Sequence, residues 1–452
     1  MLDTIYFADG RTRSFAYQEG HLASDCYLNG SMTCVDCHAP HTQRYRDVNA
    51  VPLPGRFSDG QCTSCHASKA EPLQRHTKHA PASAGSRCVA CHMPYLQQPN
   101  VGRRIRYARS DHAIPIPRPL YDTRLGVETA CQQCHRGRTA EQLQAQVTAW
   151  YGELKPHLAV VSGVLAADTL RDAAAAVRAV LSPVIRQPIA DVTGLAILLQ
   201  RFATPYGSTL DADAVAGLER LAETADPDVR ALALATLHLG RGSDPKVRRF
   251  LTRQIRALGT SDAVIRDRWV WVLVVRGDGY LAGGDYRSAL AAYGRAQELK
   301  AEDPTVLRRL GVAHMRLKDY AAAIEFFRRS LALRADQPQV QIELGFALLQ
   351  LGDLDGSEAA FRAAIALSPQ DPGGYANLAL VQLRRGTVLP AIEALKQALD
   401  MDPGLAEAYF LLGRAYGTLG RFDEAEAALR HGLEFDPRNA AARQMLEAIP
   451  RR

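Results

Sequence analysis

"GVAHMRLKDYAAAIEFFRRSLALRADQPQVQIEL" (residues 311–344) is one period of a pattern that returns every 34 residues. Gly277, Gly311, Gly345, Ala379 and Gly413 form a column of small residues. Tyr293, Phe327, Phe361, Leu395 and Leu429 form a column of large apolar ones. Ala289, Ala323, Ser357, Ala391 and Ala425 form a second small column. The small residues let two helices of a unit approach closely, and the large residue packs across to the next helix. Pro369, Pro403 and Pro437 close three units, because proline ends the second helix of each.

A period of this length with two helices per unit resembles the tetratricopeptide repeat. About five units fill residues 270–439, with a capping helix after them. The resemblance implies an α-solenoid whose concave face binds a protein partner. Ahead of it, residues 140–269 are rich in Ala and Leu at helical spacing. "TAEQLQAQVTAWYGEL" (139–154) reads as a helix capped by Thr139, with Glu141 in its first turn. "DADAVAGLERLAETADPDVRALALATLHLG" (211–240) reads as two helices broken at Asp226-Pro227, similar to a HEAT-like pair.

Residues 1–139 are different. They are rich in Gly, Pro, Cys and His and poor in the Leu, Ile and Val that build a core. All nine cysteines lie between Cys26 and Cys134, and nine of the thirteen histidines precede residue 136. Such a segment needs metals or bulky cofactors to hold it together. The whole chain is expected to be mostly α: a loop-rich module (1–139), HEAT-like helices (140–269) and repeats (270–452). A net charge of +6 on 452 residues argues neither for nucleic acid nor for a membrane surface. No run is apolar enough to span a bilayer, the best being "LAVVSGVLAA" (158–167).

Four motifs carry the chemistry: "CVDCH" (34–38), "CTSCH" (62–66), "CVACH" (88–92) and "CQQCH" (131–135). In a c-type cytochrome two cysteines add to the haem vinyl groups, and the following histidine ligates the iron. Zinc bound by CxxC pairs is the alternative, but zinc does not require a histidine after each second cysteine. Histidine is 13 of 452 residues, so four such matches by accident have odds of roughly one in a million. Four covalent haems also explain the thin aliphatic core, since each macrocycle offers a large apolar surface.

Bis-histidine haem, which is low-spin, needs one distal histidine per iron. Beyond the four motif histidines, the module holds His21, His41, His76, His79 and His112, with His157 just after it. His112, in "SDHAIPIPRP", sits on a stretch that proline stiffens, and is expected to reach an iron as a distal ligand. One of His76 and His79, preferably His79, is expected to be a ligand. His21 and His41 are further candidates. His157, His238, His314 and His431 lie on helical segments and read as surface or hydrogen-bonded core residues. Cys26, the odd cysteine, reads as a small buried thiol. Arg103, Arg104, Arg106, Tyr107, Arg109 and Arg118 cluster before the fourth motif. They suit haem propionates, and the alternatives are a solvated loop or a pocket for a small anion.

"HAPASAGSRCVACHMPY", "SDHAIPIPRP" and "CQQCH" resemble the distal half of the pentahaem cytochrome c nitrite reductases. They resemble more closely the multihaem cytochromes fused to tetratricopeptide repeats, whose first paired motif "GSMTCVDCHAPHTQ" also matches. The resemblance implies thioether links at Cys34, Cys37, Cys62, Cys65, Cys88, Cys91, Cys131 and Cys134. It implies proximal His38, His66, His92 and His135, with His79 and His112 distal. Two departures stand out. Nitrite reductases of this type carry lysine in place of the motif histidine at the catalytic haem, whereas all four motifs here have histidine. The fused family also begins with an export signal and a further CxxCH. Neither is present in this sequence, so both are expected upstream of Met1. The expected function is electron transfer through four covalent c-type haems, with the repeats docking a redox partner or other protein outside the cytoplasm, in the periplasm. The alternative is an oxidoreductase acting on a small nitrogen or sulfur species at a five-coordinate haem.

Overall fold

In a computed structural model the chain is described over residues 32–39, 44–55, 58–94, 112–124, 128–156, 188–258 and 263–450, together with Ser24, Cys26 and Ala175. The fold is helical as expected. Among the described residues, extended pairing is confined to two isolated antiparallel bridges, His38 with Tyr45 and Arg46 with Pro52. The chain divides into two compact units, 1–272 and 273–452.

The first unit begins with short helical turns joined by loops. These are α1 (Cys34–Cys37), α2 (Gly60–Thr63), α3 (Ala67–Ala70), α4 (Leu73–Thr77), α5 (Cys88–His92) and α6 (Pro119–Arg124). Helix α7 (Ala140–Tyr151) follows. Thr139 caps α7 in a reciprocal box: its hydroxyl accepts from Gln142 N at 3.3 Å, and Gln142 Oε1 accepts from Thr139 N at 3.0 Å. Ala140, Leu143 and Val147 are its buried stripe. Then come α8 (Pro188–Arg201), α9 (Ala212–Leu221), α10 (Pro227–Arg241) and α11 (Pro245–Leu258). The break read at Asp226-Pro227 is real: Asp226 caps α10 by accepting from Asp228 N and Val229 N, and Pro227 opens the helix. Helix α10 packs against α8, α9 and α11, and Leu195, Leu198, Leu218, Leu232 and Leu234 fill the space between them.

Helix α12 (Ala263–Ala282) carries the boundary between the units. The repeats continue as α13 (Tyr286–Leu299), α14 (Pro304–Arg316), α15 (Tyr320–Leu333), α16 (Pro338–Gln350), α17 (Leu354–Leu367), α18 (Pro372–Arg385), α19 (Val388–Met401), α20 (Ala406–Thr418) and α21 (Phe422–Phe435). Helix α22 (Ala440–Glu447) follows, capped by Asn439. Pro369, Pro403 and Pro437 each fall two residues beyond a second helix. The turn between the helices of a unit needs a left-handed residue, met by Gly352 (φ 82°) and Gly386 (φ 87°), while the second unit places Lys318 there (φ 62°).

The three columns of the period are the core. Phe327, Phe361 and Leu395 have no exposed surface. Each reaches from the second helix onto the small residue of the first, so a methyl group on Gly345 would stand 2.6 Å from Phe361 Cε1. Gly345→Val is therefore expected to lose about 1–3 kcal/mol by overpacking. Phe361→Ala is expected to lose about 3–5 kcal/mol by leaving a cavity. Chemical denaturation followed by circular dichroism measures both, and a Gly345→Val chain as stable as the parent contradicts this packing.

First helices of successive repeats also touch directly, α14 with α16, α16 with α18 and α18 with α20. Charges near the start of this face are paired. Arg309 meets Asp278 (Nη2 to Oδ2, 2.9 Å), which also accepts from Tyr293 Oη at 2.6 Å. Arg308 meets Glu343 (Nε to Oε2, 2.9 Å).

Candidate haem-binding site

Each CxxCH motif folds as a single helical turn. His66 N donates to Cys62 O at 2.8 Å, and His135 N donates to Cys131 O at 2.8 Å. The spacing i, i+3, i+4 puts both cysteines and the histidine on one face of such a turn. Thr33 and Asp36 close the first motif: Thr33 N donates to Asp36 Oδ2 at 2.6 Å, and this bond holds the carboxyl below its ordinary range. Cys88 N donates to Asp59 Oδ1 at 2.8 Å, tying the second motif to the third across 29 residues.

The motifs are neighbours in chain order. The Cys37 thiol is pushed up to about 11, first by burial and then by the nearby charge of Cys62. Cys62 and Cys88 share a hydrogen bond that pushes Cys88 up. Cys91 is pushed up to about 11 by burial, followed by Cys131 and Cys134. The first motif therefore adjoins the second, the second the third, and the third the fourth.

The histidines fall into facing pairs. His38 and His112 have ring centroids 6.4 Å apart. His92 and His76 are 6.2 Å apart with rings 4° from parallel. His135 and His79 are 6.0 Å apart. Two imidazoles bound to opposite sides of one metal have centroids roughly 6 Å apart, given metal–nitrogen bonds of about 2 Å. The three separations fit that spacing.

The tautomers fit as well. His92 Nδ1 lies 3.0 Å from the Pro115 carbonyl, and His79 Nδ1 lies 2.6 Å from the Thr77 carbonyl. A carbonyl only accepts, so Nδ1 carries the proton and Nε2 keeps its lone pair for a metal. Burial holds His92 below its ordinary pKa, against the opposing bond to Pro115, which favours the neutral ligand form. His76 is lowered by burial and then by the charge of His92, and His38 by burial. Among the described residues no three of His, Cys, Asp and Glu converge as a zinc site requires.

Sequence reasoning preferred His79 over His76, and the structure gives both a facing ring. His66 is exposed, and among the described residues no ring stands across from it. His21, His41 and His157, with Arg103, Arg104, Arg106, Tyr107 and Arg109, lie outside the described residues. The side chain of Cys34 is likewise undescribed. Arg118 donates to the Lys155 carbonyl. Cys26 is half-buried and lies within electrostatic reach of Cys37. His314 bonds Asp319 at 3.0 Å, His431 bonds Glu434 at 3.2 Å, and His238 is buried edge-on against Trp269, in keeping with their reading as ordinary helix residues.

Three contributors were not foreseen. Trp150 and Tyr151 end α7 against two of these pairs: Trp150 stands edge-on to His79 at 6.0 Å, and Tyr151 Oη donates to the His76 carbonyl. Gly85, in a 3-10 turn (Ala84–Ser86), lies so close to the His79 ring that a side chain there would overlap it. The helix was legible in the sequence, but which of its residues would meet the histidines was not.

Residues 76–179 match the family described as cytochrome c552. Residues 219–451, just over half of the chain, match the tetratricopeptide family described as the cilia and flagella-associated protein 70 C-terminal domain. Among curated proteins none matches. Similar solved structures include MamA, at 28% identity over 36% of this chain and 96% of that one, with a TM-score of 0.34. YrrB, titled a TPR protein with an unusual peptide-binding site, is 19% identical over 43% of this chain and 97% of that one, with a TM-score of 0.35. A thermophilic TPR protein of Thermus thermophilus is 24% identical over 40% of this chain and 98% of that one, with a TM-score of 0.35. The chain thus belongs to the tetratricopeptide family of the cilia and flagella-associated protein 70 C-terminal domain, and joins to it, on the N-terminal side, a cytochrome of the c552 type.

Proposed function

We propose that the chain is an exported, periplasmic electron carrier with four covalent c-type haems, and that its repeats dock a redox partner or other protein. Its division would be a haem module (1–139), a helical linker (140–269) and a docking array (270–452). The observation that carries this reading is the set of three histidine pairs at 6.0–6.4 Å, each containing one motif histidine. When bound, haem supplies a one-electron iron couple, and close neighbours exchange electrons without bond making.

The residues of the chain do the rest. Eight cysteines hold the cofactors, at Cys34 and Cys37, Cys62 and Cys65, Cys88 and Cys91, and Cys131 and Cys134. His38, His66, His92 and His135 would be proximal, with His112, His76 and His79 across from the first, third and fourth. Each pair of imidazoles would hold its haem from both sides and leave no room for a substrate at the iron. The succession of motifs in chain order supports passage along a row. Covalent attachment of haem occurs outside the cytoplasm, which supports export.

One observation favours a second reading at one motif. His66 is exposed and faces no described ring. An oxidoreductase acting on a small nitrogen or sulfur species would work there, with His21 or His41 as the competing sixth ligand.

The purified protein is expected to give four haems per chain by pyridine haemochromogen assay. Electron paramagnetic resonance is expected to show low-spin iron at three sites or more. A high-spin signal confined to one haem moves the second motif to the oxidoreductase reading. High-spin iron at three or four haems would sink the carrier reading.

A further inference from the structure

One short arc of chain supplies two of the facing rings. His76, in the last turn of α4, faces His92, while His79, three residues on, faces His135. Had α4 continued, positions three apart would lie on one face of the helix, and both rings would meet the same partner. Lys78 prevents this. It closes α4 in the left-handed region (φ 57°, ψ 21°), with its N–H on the Gln74 carbonyl at 2.9 Å. A residue with a Cβ adopts that conformation at a cost, so the surroundings of the arc must hold it there.

The end of α7 supplies that hold. Trp150 and Tyr151 continue the stripe of Ala140, Leu143 and Val147 by one turn. The stripe is buried, but these two residues are 38% and 40% exposed, so burial is a small part of what they do. What they touch is the arc. Tyr151 Oη donates to the His76 carbonyl, one of the final carbonyls of α4, which lack a partner within the helix. The Tyr151 ring centroid lies 6.2 Å from that of His76. Trp150 stands edge-on to His79 at 6.0 Å and edge-on to Tyr151 at 6.3 Å. His79 is further confined by Gly85, and its Nδ1 is fixed on the Thr77 carbonyl at 2.6 Å. Gly152 (φ 68°) ends α7 directly after Tyr151, so the helix delivers these two rings and stops.

We propose that Trp150 and Tyr151 are positioning residues that clasp the 76–79 arc, so that it presents one imidazole to the haem of the third motif and one to the haem of the fourth. The two sites then share one support. A disturbance of the arc opens both, and neither distal ligand is placed by its own motif. This rests on the reading of the facing rings as axial ligands and adds what holds them in place. Outer partners of a metal-bound histidine set the orientation of its ring, and losing one weakens the metal's hold by about tenfold or more.

The test uses the full haem-loaded protein, reduced and mixed with carbon monoxide, which binds a haem of this kind only where the distal imidazole has let go. The double variant His76→Ala, His79→Ala sets the signal for both haems open. Tyr151→Phe, which loses one hydroxyl, and Trp150→Ala are each expected to speed carbon monoxide binding at both haems by about tenfold, with haem content unchanged. Trp150→Phe, which keeps an edge-on ring, is expected to restore the parent rate. Trp271→Ala, which removes an exposed indole from α12, is expected to leave it unchanged. A parent rate in Tyr151→Phe or in Trp150→Ala overturns the clasp while the axial reading stands. Opening of one haem alone overturns the shared support. If the double histidine variant binds no more carbon monoxide than the parent, the axial reading itself fails and the clasp with it. Should Trp150→Ala fail to take up haem, Tyr151→Phe decides the case.

Discussion

Blocking haem attachment is expected to unfold the N-terminal module while leaving the repeats folded. The reason is the core. Among the described residues before 140, the buried apolar side chains are Val89, Ala113 and Ala130, with Pro94 and Pro119 beside them. So few small groups stabilise far less than the backbone entropy lost in ordering the module. The helices found there are four to six residues long, too short to persist alone. The repeats, by contrast, bury whole side chains such as Tyr293, Phe327 and Phe361. Made without haem, with the eight motif cysteines changed to alanine, the chain should lose hydrogen-exchange protection over 32–139. Protection over 286–447 should persist. A protected module in that variant would show that the chain folds without the cofactor.

The second expectation concerns Gly85. A side chain there overlaps the His79 ring, and His79 is the imidazole facing His135. Gly85→Ala should therefore displace one distal ligand without touching a motif. His79→Ala should remove the same ligand outright. Both are expected to turn about one quarter of the haem from low to high spin on the proposed count of four. His76→Ala should act on a different quarter, so the double variant His76→Ala, His79→Ala should convert about half. Magnetic resonance and the visible spectrum read this. If Gly85→Ala leaves the spectrum low-spin while His79→Ala changes it, the close approach is not what holds the ring. If neither changes it, the His79–His135 pairing is wrong.

The repeat array was legible because its information is periodic. Gly345 and Phe361 repeat what Gly311 and Phe327 do, so independent columns agree within the sequence itself. The motifs were legible for a different reason: attachment chemistry requires fixed spacing along the chain. Distal pairing has no such local signature. His112 faces His38 across the sequence and past the third motif, and nothing in "SDHAIPIPRP" says which histidine it will meet. His76 and His79 are three residues apart yet face different partners. The same holds for Trp150 and Tyr151, whose helix was expected but whose contacts depend on tertiary placement. Of the arginine cluster, Arg118 is described, and it bonds the Lys155 carbonyl.

The pairings have a topological consequence. The span from His38 to His112 overlaps the span from His79 to His135, and the short closure from His76 to His92 lies within the first. The closures interleave, so the first site cannot be completed until chain beyond the third motif has arrived. Loops that long add closure entropy before any contact offsets it. On the proposed pairing, a maturing chain would hold its first haem by one axial histidine through most of its emergence. The module would then lock late and as a whole, with no half-length intermediate in which the early sites are already sealed.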